Sequence, residues 1–166
     1  MKPIKNAHCS WCGSPFSSEA PWPRVCIQCK EVSYQNPLPV AVALIPTTSG
    51  GLLGVRRGIE PRKGEVALPG GFIEVGESWQ EACAREVMEE LEVELDAQKF
   101  ESFTTLSAPD GTVLIFGLFD EEVEEDALPP FSQNSEASER VIISPDKHLK
   151  LAFDLHTRAA KKFFER

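Results

Sequence analysis

No stretch of this 166-residue chain is long and apolar enough to span a bilayer, which sets aside a membrane-spanning helix and a membrane partner. The first residues, Met-Lys-Pro-Ile-Lys-Asn, lack the apolar centre of a signal peptide, so a cytoplasmic protein is expected. Basic charge is scarce. The chain has 17 Lys and Arg against 26 Asp and Glu, a formal net charge of -9. Broad nucleic-acid affinity needs basic surface, so a nucleic-acid partner is not expected. There is no internal repeat and no low-complexity tract beyond the acidic run 120–126, which reads as a solvated loop or strand end. Hydrophobic residues make up 42% of the chain, enough for the core of one ordinary domain with a small appendage.

Four of the five cysteines form two pairs, Cys9-Ser-Trp-Cys12 and Cys26-Ile-Gln-Cys29, separated by thirteen residues. Two such turns can offer four thiolates tetrahedrally to Zn²⁺. Disulfides are the weaker reading in a reducing compartment. With sulfur in all four positions the zinc would be structural, because no site is left open for chemistry. A small zinc ribbon over residues 1–34 is therefore expected, ahead of a second domain over 35–166. The ribbon has four Lys and Arg against two Glu, only a slight basic excess. Trp11, Trp22 and Tyr34 can stack a base or pack the ribbon, and at least one is expected to pack. The fifth cysteine, Cys83, reads as a small packing residue.

The stretch 71–93 concentrates carboxylates in the second half of a predicted helix. Ser78 and Glu81 form a capping-box pattern that places Ser78 at the N-cap. Glu86, Glu89 and Glu90 are spaced i, i+3, i+4 and share one face. Like charges at these spacings repel, and anions in the last turns oppose the helix dipole. A divalent cation with its preference for oxygen ligands would reverse both penalties, where a merely solvated acidic face would not. Ala84, Val87, Met88 and Leu91 are expected to pack on the core, and Glu81 to pair with Arg85.

Gly71, five residues, Glu77, seven residues, Arg85-Glu86, Val87, one residue and Glu89-Glu90 together resemble the signature of the Nudix hydrolases. One position departs. The family usually has Gly where this chain has Glu92, so the helix exit must take a left-handed turn without glycine or end differently. The resemblance implies an α/β/α sandwich and an enzyme that hydrolyses the diphosphate linkage of a nucleoside diphosphate derivative with Mg²⁺ or Mn²⁺. It makes Glu86, Glu89 and Glu90 the metal ligands, with Arg85 orienting them and Glu77 as its partner. A general base is needed within reach of the attacking water. Glu90 itself, Glu139 and Glu136 are the candidates.

The remaining pattern agrees with an α/β fold. The apolar β-branched run 40–45 reads as a buried strand and 52–57 as the returning one; 65–68, part of 94–106, 112–119 and 140–143 also read as strands. The segment 154–164 reads as a helix with Asp154 as its cap. Strands interrupted by one central helix, with another at the end, point to a mixed sheet covered on both faces. Gly70 and Gly71 permit a tight bend beside the metal, where Gly70 can add a carbonyl ligand and Gly71 can border the substrate. Arg56, Arg57, Arg62 and Lys63 are candidates to hold phosphate oxygens.

Within the family, a zinc ribbon followed by Tyr34-Gln-Asn-Pro and then the acidic box is similar to two subgroups, the NADH pyrophosphatases and the FAD or ADP-ribose pyrophosphatases. The former usually carry Ser-Gln-Pro-Trp-Pro-Phe-Pro after the box. This chain has Pro130-Phe131-Ser132-Gln133 without that run, so FAD or ADP-ribose is preferred, with AMP as a product. An NADH or NAD-cap pyrophosphatase is the alternative. A non-catalytic nucleotide- or RNA-binding module is a further one, against which the intact acidic positions argue. Homodimers are common among such relatives.

Overall fold

The structure, a computed structural model, describes residues 4–146 and 148–166, so residues 1–3 of the expected ribbon lie outside the described residues. The chain divides into two compact units, Met1–Pro37 and Leu38–Arg166.

In the first unit, strands β1 (Arg24–Val25) and β2 (Val32–Ser33) pair antiparallel with Arg24 opposite Ser33. Each cysteine pair is followed by a left-handed residue, Gly13 at φ 75° and Lys30 at φ 67°. The two turns are closed alike, by Gly13 N–H donating to Cys9 O at 3.0 Å and Lys30 N–H to Cys26 O at 2.9 Å. Trp22 packs edge-on to Phe16, with the Arg24 guanidinium 4.5 Å from its ring centroid. Trp11 and Tyr34 are exposed, although the Trp11 indole N–H donates to Val32 O at 3.1 Å.

The second unit is built from β3 (Leu38–Leu44), β4 (Leu52–Arg57), β5 (Val66–Ala67), β6 (Gly70–Phe72), α1 (Trp79–Leu91), β7 (Phe100–Ser107), β8 (Thr112–Phe119), β9 (Ala137–Ile143) and α2 (Asp154–Phe164). The mixed sheet has four strands in the order β6-β3-β8-β7, with β3 and β8 parallel and the other pairs antiparallel. A second, antiparallel sheet runs β5-β4-β9.

Strand β3 explains why the sheet is covered on both faces. Side chains alternate along a strand. Ala41 and Ala43 join the core cluster that holds Ala82, Cys83, Val87 and Leu91 of α1. Val42 and Leu44 join the cluster that holds Ala159 and Ala160 of α2. A strand buried on both sides reads as a continuous apolar run, as this one does. Part of the face toward α1 is made of small residues, Ala41 and Ala43 among them. Gly117 of β8 lies opposite Ala43, and a Cβ there would meet the Trp79 ring at 2.8 Å and Cys83 Sγ at 3.1 Å.

Several boundaries differ from the sequence reading. Strand β9 begins three residues earlier than expected because Ala137 pairs with Arg57 across a bulge at Arg56/Arg57. Asp154 is the first residue of α2, not its cap. Phe153 holds the N-cap position in extended geometry, its ring 5.0 Å from that of His156. His156 is buried, and its Nδ1 accepts the Leu68 N–H at 3.3 Å, which ties α2 to the segment entering Gly70.

Candidate functional site

Helix α1 starts as its sequence dictates. Ser78 Oγ accepts the Glu81 N–H at 3.2 Å, and Glu81 Oε2 accepts the Ser78 N–H at 2.7 Å. Glu81 is thereby occupied, and the expected Glu81–Arg85 pair does not form. Arg85 turns instead to Glu77, with Nε–Oε1 at 2.8 Å and Nη2–Oε2 at 3.0 Å, a forked contact that fixes the guanidinium plane. Its Nη1 donates to Glu86 at 2.7 Å and to Glu89 at 3.3 Å, and its Nη2 to Phe72 O at 3.0 Å. One cation thus holds three of the predicted carboxylates. Its bonds to Glu77 raise its own affinity for a proton and lower that of Glu77.

The buried stripe of α1 is rotated from the expected one. It consists of Ala82, Cys83, Glu86, Val87, Glu90 and Leu91, while Met88 is 52% exposed. The reason is that Glu86 and Glu90 point inward and take part of the buried face. Glu86 lies against Gly71, where any Cβ would collide with its carboxylate. Glu90 Oε2 accepts the Gly70 N–H at 3.1 Å. Glu89 is largely exposed.

Burying two carboxylates close together is unfavourable unless something neutralises them. Burial raises Glu86 above the usual carboxylate range. It pushes Glu90 up to about 8, where the Gly70 N–H and Arg57 oppose it and the charges of Glu86 and Glu136 reinforce it. Among the described residues, Glu86, Glu89 and Glu90 do not form a group whose oxygens all approach within 4.8 Å. The Arg85 Nη1 bridges Glu86 and Glu89. The donor set is nevertheless suited to a hard cation, which would replace protons on oxygens already held by Arg85 and Gly70.

The helix exit takes the first of the two expected courses. Glu92 is left-handed, at φ 55° and ψ 38°, and its N–H donates to Met88 O at 3.0 Å. The basic candidates are spread around the site. Arg56 is paired with Glu139 at 2.6 Å and donates to Gly64 O at 3.1 Å. Arg57 donates to Pro61 O at 2.9 Å and lies 5.1 Å over the Phe153 ring, while its charge reaches Glu90. Arg62 is exposed and paired with Glu65 at 3.4 Å. The sequence reading missed Asn134 and Arg140, which touch the end of α1 from 45 and 49 residues away. No spacing rule reports contacts at that separation.

The first unit holds a separate site. The Sγ atoms of Cys9, Cys12, Cys26 and Cys29 all lie within 4.8 Å of one another. Cys9–Cys29 and Cys12–Cys26 are each 3.7 Å apart, too far for disulfides and suited to four thiolates around one ion. The Ser14 contact lowers Cys12 to about 6, which favours the ligating thiolate. Cys83 is the opposite case, since burial pushes its thiol up to about 12 and keeps it inert.

The family profile described as "NUDIX domain" matches residues 37–166. The NAD-capped RNA hydrolase NudC of Salmonella heidelberg (strain SL476) is 37% identical over 83 residues, covering 49% of this chain and 32% of NudC. The chain thus spans about a third of the length of the curated relatives it matches. A NUDIX hydrolase from Nitrosomonas europaea superposes with a TM-score of 0.72 at 22% identity, over 95% of this chain and 90% of that one. A bifunctional NMN adenylyltransferase/ADP ribose pyrophosphatase from Francisella tularensis, complexed with AMP and a Mn ion, superposes with a TM-score of 0.56 at 26% identity, over 69% of this chain and 36% of that one. No described helix is long and apolar enough to cross a membrane.

Proposed function

This chain belongs to the Nudix family, and from that premise we propose that it hydrolyses the diphosphate linkage of a nucleoside diphosphate derivative such as ADP-ribose or FAD, releasing AMP. The observation that carries this reading is the pair of buried carboxylates, Glu86 set against Gly71 and held by Arg85, and Glu90 held by the Gly70 N–H. An apolar stripe would stabilise the helix better if it had no ion to bind.

In this reading Glu86, Glu89 and Glu90 hold Mg²⁺ or Mn²⁺, with the Gly70 carbonyl as a further oxygen. The ion would offset the charge of the diphosphate, orient it and lower the pKa of a water it holds. Arg85, anchored by Glu77, fixes the direction of Glu86 and Glu89. Arg57 is the best placed of the basic candidates to meet a phosphate, because its field already reaches Glu90. Arg56 and Arg62 would have to exchange a carboxylate partner for the phosphate. The proton of the attacking water goes to Glu90, to Glu136 of the loop before β9, or to Glu139, which lies within β9 opposite Arg56 and not in a loop as expected. Glu139 can serve only on leaving Arg56, whereas Glu136 already acts on Glu86 and Glu90.

Residues 1–34 are proposed as a structural zinc ribbon and 35–166 as the hydrolase domain, in a cytoplasmic protein that forms homodimers. ADP-ribose is supported by the activity named for the Francisella protein, in which AMP and Mn are present. The activity named for the NudC relatives supports a second reading, with NADH or an NAD-capped RNA as substrate. That finding weakens the argument from net charge against nucleic acid. Purified protein with Mg²⁺ or Mn²⁺ should release AMP from one member of a panel of ADP-ribose, FAD, NADH, diadenosine polyphosphates and NAD-capped RNA. Glu90→Gln should abolish the release, and unchanged turnover in that variant would refute the assignment.

A further inference from the structure

Helix α1 ends in a way its own sequence does not provide for. Its last turn has no basic residue, and its final carbonyls lack donors within the helix. The donors come from the segment that leads into β9 and from β9 itself. Asn134 Nδ2 donates to Glu89 O at 2.9 Å, and Arg140 Nη2 donates to Leu91 O. Arg140 also donates to Pro129 O at 2.8 Å and lies 5.4 Å from the Phe131 ring centroid. The Ser132 N–H reaches Glu92 Oε2 at 3.3 Å.

The other end of the Asn134 carboxamide organises a turn. Its Oδ1 accepts the Glu136 N–H at 2.9 Å and the Ala137 N–H at 2.8 Å, and its backbone N–H donates to Ala137 O at 3.0 Å. The Gly58 N–H holds Glu136 O at 2.7 Å from the far side. A single side chain therefore bonds both the acidic helix and the turn that presents Glu136. Such a donor–acceptor pair is specific to an amide.

We infer that Asn134 is a positioning residue, which locks the turn at 132–137, and with it the backbone of Glu136, to the carboxylate-bearing end of α1. The inference rests on the reading of those glutamates as a divalent-cation site. It assigns to Asn134 no contact with substrate. Its effect on the ion and on turnover runs through Glu136. Aspartate would keep the two N–H acceptor bonds and lose the bond to Glu89 O, placing an anion against a carbonyl oxygen. Alanine would lose both sets of bonds.

The test compares wild type, Asn134→Ala, Asn134→Asp, Glu136→Gln and the Asn134→Ala/Glu136→Gln double variant. Mn²⁺ affinity is read by calorimetry, and kcat and KM by AMP release from ADP-ribose. Asn134→Ala and Asn134→Asp should each weaken Mn²⁺ binding or lower kcat by about 10- to 100-fold, the range for groups that orient metal ligands. In the Glu136→Gln background Asn134→Ala should add less than about twofold, because the two residues act as one unit. Equal losses in both backgrounds would overturn the inference, as would wild-type behaviour of Asn134→Asp. Amide exchange at Glu136 and Ala137 gives a reading independent of metal and turnover. It should accelerate in Asn134→Ala, and unchanged exchange would refute the latch. If wild type neither binds Mn²⁺ nor releases AMP, the functional reading fails, and exchange alone still decides whether Asn134 holds the turn.

Discussion

The two candidate ligand clusters of this protein meet the same electrostatic problem in opposite ways. Four cysteines gather their sulfurs within 4.8 Å by local means, two short turns closed by Gly13 and Lys30. The helix carboxylates stay apart. Arg85 stands between Glu86 and Glu89, and burial drives Glu90 toward its neutral form. Soft thiolates around one ion need only a closed tetrahedron, which neighbouring residues can build. On the proposed reading of the glutamates, a hard-cation site that must also admit a substrate needs a wider frame, for which Gly70, Gly71, Glu77 and the loop before β9 are the candidates. The sulfur cluster is closed by its own segment, and the oxygen cluster depends on distant ones.

Removing the ligands should show the contrast most strongly in the first unit. Cys26→Ser, or a strong chelator, should eliminate one equivalent of bound zinc by elemental analysis and unfold the 4–37 segment. Structural zinc contributes on the order of 10 kcal/mol to such small units. The fold of 38–166, followed by amide exchange, should survive. Collapse of both units together would erase the distinction.

Glu90 gives the next largest effect. Its pKa is near 8 in the folded, metal-free protein against 4.5 ordinarily, so the folded state holds the extra proton. Stability of the metal-free protein should therefore be greatest below about pH 4.5 as far as this group is concerned, and should fall as pH rises toward 8, by on the order of a few kcal/mol. Glu90→Gln should flatten that slope in a pH series of thermal melts. Mn²⁺ should restore stability at pH 8 in wild type and not in the variant. An undiminished slope in the variant would place the buried proton elsewhere.

Gly71→Ala should cost roughly 1–3 kcal/mol, the scale of overpacking, because its Cβ and the Glu86 carboxylate claim the same space. Weaker Mn²⁺ binding should accompany the loss. The smallest effect should come from Arg56→Ala. Its pair with Glu139 is exposed and worth at most about 1 kcal/mol. If the variant's KM rises with kcat unchanged, Arg56 belongs to the substrate site. An unchanged KM would leave it as surface structure.

What could be read from the sequence follows the same division. The zinc-suited cluster and the capping box were legible because both are set by spacings of a few residues. The acidic arc was legible from helical period. The buried stripe was misread because Met88 is apolar and Glu86 and Glu90 are not, and only the tertiary frame reverses their places. Asn134 and Arg140 gave no signal, since their partners at the end of α1 are backbone carbonyls, which every residue has. The start of β9 was hidden for a similar reason. It depends on pairing with β4 across a bulge, and not on any run of β-formers.

The row of Ala41, Ala43 and Gly117 beneath α1 has a consequence for where chemistry can occur. It sets the clearance between helix and sheet, and with it the height of the glutamates above Gly70 and Gly71. A bulkier side chain in that row would act as a shim. It would lift the acidic helix away from the glycine strand while touching none of the glutamates, and would detune the proposed site from below.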